Sequence, residues 1–345
     1  MKNLLGRESK GLTAWLIAIF AIGGLTTSAV AGESDWFSAM SEQQASVVNA
    51  NAEMEEAPAD AESSKMIPWL TVGVSFDLVS DYIWRGINFS EFPGEGREDP
   101  NYQLGLDVSV DLAQVSGVEM LGTLGANIWF EWFSQQENLT PWSGNNLQEV
   151  DYTLYYSHGF GEIGLDVTVG WIAYHFPRLR DSGAPAGSGD AAYTQELFVE
   201  LAWDDSMIFG QPLLNPTMSY YHDVDDVQAG MLFFGVSHDF VLADYGCKEM
   251  PVLKDMVVSP SATLAVDHRY YDKSGNGGGD GPTTKLAYLE YGLSMAVDLN
   301  SALNIPSQYG AFSVGGFLNF VQAFHDDSPL VNDQLYGGMN VSWEF

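Results

Sequence analysis

From Pro68 to the C-terminus, apolar and polar residues alternate in long runs. Leu104, Leu106, Val108, Val110 and Leu112 oppose Gln103, Gly105, Asp107, Ser109 and Asp111. Leu197, Val199, Leu201 and Trp203 oppose Glu196, Phe198, Glu200, Ala202 and Asp204. Ala287, Leu289, Tyr291, Leu293, Met295, Val297 and Leu299 oppose Tyr288, Glu290, Gly292, Ser294, Ala296 and Asp298. Successive strand side chains point to opposite faces, so each run predicts a strand with one greasy and one polar face. Twelve strands are predicted, near 69–85, 101–113, 121–133, 148–158, 162–176, 192–204, 215–222, 227–240, 258–272, 284–299, 309–325 and 334–345. Many exceed the usual length of globular strands and match what a tilted bilayer crossing needs. Connections near 86–100, 134–147 and 177–191 are long and rich in Gly, Pro, Asn and charge, whereas 114–120 and 159–161 are short. A membrane barrel with long outer loops and short periplasmic turns has this rhythm. Two connections break it: Asp223–Asp226 is short where a loop is due, and 241–257 is long where a turn is due. The expectation is a register slip near the seventh and eighth strands or a periplasmic insertion.

The two ends of the chain agree with that reading. The last strand closes in Trp343-Glu344-Phe345. A strand ending on an aromatic suits the closing strand of an outer-membrane barrel, with Trp343 and Phe345 as an insertion signal for the barrel-assembly machinery. At the other end, Lys2, Arg7 and Lys10 precede an apolar stretch, Leu12 to Leu25, and the small-x-small site Ala29-Val30-Ala31. These features predict a cleaved export signal over residues 1–31, delivering the chain to periplasmic chaperones. The apolar stretch is shorter than the roughly 20 residues of a spanning helix. Residues 32–66 carry Glu33, Asp35, Glu42, Glu53, Glu55, Glu56, Asp60 and Glu62 against Lys65 alone, which predicts an acidic, disordered periplasmic tail. The barrel is expected over 67–345.

Charge narrows the function. The formal net charge is -33, which disfavours nucleic acid and anionic surfaces as partners. If the apolar faces meet lipid, the polar faces line a lumen. That places Asp77, Asp81, Asp107, Asp111, Glu131, Asp151, Asp166, Glu196, Glu200, Asp204, Glu290, Asp298 and Glu344 inside, with Arg85 nearly alone among bases. Asp77, Asp81, Arg85, Asp107, Asp111, Glu290 and Asp298 are the predicted electrostatic filter. Acidic rings favour cations, so the expectation is a passive outer-membrane channel for small cationic or neutral solutes, without catalysis or cofactor. A barrel of about twelve strands lies between the roughly 8 that enclose only side chains and the 16 to 18 that leave a wide channel. A non-conducting surface barrel is the alternative, and an outer-membrane lipid-modifying enzyme a weaker one.

Asp272 to Asp280 begins like a calcium loop, but Thr283 stands where a bidentate Glu is expected; a Gly-rich hairpin accounts for it better. His222, Asp223, Asp225 and Asp226 form an acidic turn, and no metal is predicted there. The six histidines form no Ser-His-acid pattern, although His268-Arg269 or His175 with Arg178 lie near strand ends. Trp84, Trp129, Trp132, Trp142, Trp171, Trp203 and Trp343 suit aromatic belts. Cys247 is the only cysteine, so no intramolecular disulfide can form.

Val79 to Asn88, V-S-D-Y-I-W-R-G-I-N, resembles the first-strand signature of the TorF-like family of outer-membrane porins. Ser80, Asp81, Tyr82, Arg85, Gly86 and Ile87 fit its Ser-Asp-Tyr-x-x-Arg-Gly-Ile pattern, and Tyr102 to Val110 fits its second strand loosely. The resemblance covers about a tenth of the chain. It implies a barrel in the outer membrane more than it implies a substrate.

Overall fold

The computed structural model describes residues 67–90, 100–133, 147–180, 191–273, 284–324 and 331–345. The export signal, the acidic tail and the glycine-rich stretch 274–283 lie outside these residues. Twelve antiparallel strands close into one barrel: β1 (Leu70–Val79), β2 (Asn101–Asp111), β3 (Thr123–Phe133), β4 (Leu147–Phe160), β5 (Leu165–Arg180), β6 (Ala191–Trp203), β7 (Thr217–Asp223), β8 (Gly230–Ser237), β9 (Met256–His268), β10 (Lys285–Asp298), β11 (Ala311–Ala323) and β12 (Gln334–Glu344). Each strand pairs with its sequence neighbour, and β12 pairs with β1 from Gly73↔Glu344 to Val79↔Gly338. Phe345 completes the closure: Val72 N donates to its carbonyl at 2.9 Å, and its N donates to the Val72 carbonyl at 2.8 Å. No sheet edge is left among the paired strands.

The alternation read from the sequence sorts the faces. Phe76, Leu106, Ile128, Leu154, Leu197 and Val341 are exposed on the outside. Such a continuous apolar belt is a surface suited to lipid. The opposite positions of the same strands, among them Asp77, Gln103, Glu131, Asp151 and Glu196, are buried inward. The start of β1, the end of β12 and the connections 112–122, 161–164, 204–216, 238–255 and 299–310 lie at one end of the barrel, the turn end. The described residues 80–90, 224–229 and 269–273 lie at the opposite end, the loop end.

Four expectations need correction. The first strand stops at Val79 rather than near 85, because the chain turns into the lumen there. The tenth strand changes parity near its loop end: a bulge at Ala265/Val266 leaves Leu286 outward and exposed and Ala287 buried. No register slip occurs at β7 and β8, which pair cleanly from Gly230↔His222 to Gly235↔Thr217. The long connection is an insertion at the turn end, in which Phe240–Val241 pairs with Val258 and Val257. Finally, Trp84 packs with Tyr174 and Tyr270 and Trp129 is 3% exposed, so neither joins an aromatic belt; Trp203 and Trp343 do lie on the turn-end rim.

Candidate functional site

The feature that divides the lumen is a hairpin that follows β1. Ser80 N still donates to the Gly337 carbonyl at 2.9 Å, continuing the β12 ladder by one step. The chain then folds inward, and Ile83–Trp84 pairs with Ile87–Asn88. Arg85 (φ 53°) and Gly86 (φ 73°) are its two central residues. Positive φ at both central positions is the type I′ arrangement that suits a two-residue hairpin. Gly86 meets the requirement freely; Arg85 does so at a cost for an L side chain. The base of the hairpin is closed by Phe89 N to the Tyr82 carbonyl at 2.7 Å and Tyr82 N to Ser90 Oγ at 2.7 Å.

Arg85 holds the tip. Its guanidinium makes two parallel hydrogen bonds to Glu196 of β6, at 2.7 and 2.6 Å, and both side chains are 0% exposed. The guanidinium carbon lies 4.3 Å from the Trp84 ring centroid and 4.5 Å from that of Tyr270. This combines bidentate pairing with stacking on aromatic faces, both available to arginine and not to lysine. Tyr174 donates to Glu196 Oε2 at 2.9 Å. The backbone of the turn is held as well: Tyr271 donates to the Arg85 carbonyl, and Gln334 Nε2 to the Gly86 carbonyl at 3.0 Å. A Cβ on Gly86 would lie 3.0 Å from Tyr288 Cδ1 and from Val331 Cγ1. Tyr82 donates to Glu149 of β4.

Around this hairpin the loop-end half of the lumen is a packed core that includes Ile87, Ile172, Tyr221, Met231, Tyr271 and Tyr288. The turn-end half differs. Inward residues such as Asp107, Ser157, Thr168, Glu200 and Asn319 keep partial exposure, so this half is a polar vestibule that water reaches.

The predicted filter residues therefore have different surroundings. Asp77 (0% exposed) is buried on β1, where Asn340 donates to it, and Asp81 (1%) is buried within the hairpin segment itself. Arg85 is locked to Glu196 and faces no water. Asp107 accepts from Tyr155 at 3.2 Å in the vestibule wall. Glu290 accepts from Asn319 and Tyr336, each at 2.8 Å. Asp111 and Asp298 cap short helices at the turn end, accepting from Gln114 N at 3.0 Å and Asn300 N at 2.7 Å. The residues of the signature, Ser80, Asp81, Tyr82, Arg85, Gly86 and Ile87, form the inward hairpin rather than a strand. Trp343 and Phe345 stack on each other at the turn-end rim, with ring centroids 6.0 Å apart.

Reading the sequence did not single out Trp84, Glu196, Tyr270, Tyr271 or Gln334 as parts of one site. Glu196 lies 111 residues from Arg85, and no local pattern links them. The one available signal was Arg-Gly flanked by Ile-Trp and Ile-Asn, a two-residue turn between short β-prone pairs. In the acidic turn, Asp223 Oδ1 accepts from Asp225 N, Val227 N and Gln228 N, and Oδ2 from Thr194. Its oxygens are spent on folding the loop. Among the described residues no group of three or more His, Cys, Asp or Glu is placed to hold a metal ion.

No family model and no curated protein matches the chain. Solved structures share the barrel. The KdgM porin is 8% identical, with 80% of this chain and 99% of that chain covered and a TM-score of 0.39. The NanC porin is 11% identical over 79% and 98%, TM-score 0.37. Outer membrane phospholipase A from Escherichia coli is 13% identical over 79% and 95%, TM-score 0.37. Likenesses this distant assign no function to this chain.

Proposed function

We propose that the protein is a non-catalytic outer-membrane passage for small solutes, with the 80–90 hairpin as its gate. The observation that carries this reading is the division of one lumen. A polar vestibule lies at the turn end, and among the described residues an inward hairpin latched through Arg85 fills the loop end. The outer apolar belt supplies the membrane surface. Cationic or neutral solutes fit best, because the vestibule walls carry Asp107 and Glu200, whereas Arg85 and Lys285 are committed to Glu196 and Asp267.

The test is planar-bilayer conductance of the refolded mature chain under a KCl gradient. Wild type should give small or infrequent steps with a cation-selective reversal potential. Arg85→Ala should give larger or more frequent ones. Silence from both, in barrels that a heat-shift gel shows to be folded, would overturn the reading. A second reading, a non-conducting structural barrel, is favoured by the density of the loop-end core, where Ile83, Arg85, Ile172 and Met231 are all 0% exposed. Silence of every variant would select it.

A further inference from the structure

The wall formed by β1 and β2 below the hairpin carries a group of oxygen atoms that the fold does not account for. The register sets Asp77 directly opposite Gln103, with Ser75 two residues along β1 on the same inward face. All three side chains are shut from water: Asp77 and Gln103 are 0% exposed and Ser75 is 3% exposed. Each has an atom without a hydrogen-bond partner, namely Asp77 Oδ2, Gln103 Oε1 and Ser75 Oγ. The other ends of two of these groups are fixed. Asp77 Oδ1 accepts from Asn340, and Gln103 Nε2 donates to Asn101 Oδ1 at 3.0 Å. These bonds leave the oxygen of the Gln103 amide, not its nitrogen, without a partner.

A buried polar atom left unpaired costs about 1–3 kcal/mol, more for a charged one. A buried charge persists only when it is matched. Asp77 has no basic side chain at its cross-strand positions, which are Gln103 on one side and Asn340 on the other. The atoms left over are a carboxylate oxygen, an amide oxygen and a hydroxyl oxygen. Together they want positive charge, and one carboxylate balances a single one. A divalent ion would call for further converging carboxylates, and among the described residues no group of three or more His, Cys, Asp or Glu is placed to hold a metal ion.

We propose that Asp77, Gln103 and Ser75 form a buried site for one small monovalent cation, sodium or potassium, in the lumen wall beneath the hairpin. The ion neutralises Asp77 and gives the two neutral oxygens a common partner. The site does not depend on conduction and would serve equally in a closed barrel.

Equilibrium dialysis of the full mature chain, refolded in zwitterionic detergent, against radioactive sodium tests it, with N-methylglucamine holding ionic strength constant. About one saturable, potassium-displaceable sodium per barrel is expected. Asp77→Asn should weaken binding roughly tenfold or more, the scale of losing one charged ligand. Asp204→Asn, which removes an exposed carboxylate at the turn end, should leave it unchanged. Absence of saturable binding, or equal binding by wild type and Asp77→Asn, would overturn the site. A second measurement needs no variant: the unfolding midpoint of wild type should rise when sodium replaces N-methylglucamine, as linkage requires for a ligand of the folded state alone. Equal midpoints would mean that Asp77 is neutralised by a proton instead, and would also overturn the proposal.

Discussion

Arg85 concentrates more interactions than any other residue of the candidate site. It is wholly buried, paired at two points with Glu196 and set against the rings of both Trp84 and Tyr270. Removing one partner of such a pair strands the other in a medium that cannot solvate it. Arg85→Ala should therefore destabilise the barrel by roughly 3–5 kcal/mol, read as a lower urea midpoint. Replacing both partners by apolar residues of similar volume should recover much of that loss. Arg85→Lys should behave more like the alanine variant than like wild type, because an ammonium offers neither the fork nor the planar stack. At the neighbouring position, Gly86→Ala forces a Cβ onto Tyr288 and Val331 at φ 73°. A cost of about 1–2 kcal/mol from the left-handed backbone alone is expected, and the same urea titration reads it.

At the level of elements, two kinds of local chemistry shape the turn end and the lumen. Asp298 accepts from Asn300 N and Ser301 N at the start of Leu299–Leu303, and the helix ends on Asn304 in the left-handed region. It joins this helix to the long insertion, because Ser301 also donates to Asp255. Asp298→Ala should cost about 0.5–2 kcal/mol, the worth of an N-cap, and should loosen the insertion, which limited proteolysis of 238–255 would report. It should change ion selectivity little, since a capping carboxylate is not free to meet a passing ion. The inward hairpin is the other element. It was expected to continue β1, because Asp77, Asp81 and Arg85 share one parity and so fall on one face of an extended strand. A period of two is equally compatible with a hairpin whose turn is Arg-Gly. The burial of the hairpin is decided by partners on β4, β6, β12 and the segment after β9.

For the whole molecule, closure is the defining property. β12 must meet β1, and the ladder reaches the final residue through the Val72–Phe345 pair. Deleting Phe345 removes both of those bonds and one half of the Trp343–Phe345 stack. Slower refolding of this variant into vesicles is the expected outcome, measured by the fraction of heat-shifted protein against time.

The sequence alone determined the number of strands and, outside the hairpin after β1 and the bulge in the tenth strand, their faces. These follow from a period of two, a local property of the chain. The stretch that resembles a family signature coincides with the hairpin of the first connection. Only the tertiary structure decided what those residues do. The partners of Arg85 come from strands far apart in sequence, and closing the barrel brings them within reach. The same closure separates the predicted filter into buried carboxylates, vestibule residues and helix caps. Alternation tells which way a side chain points, but not what waits across the lumen to meet it.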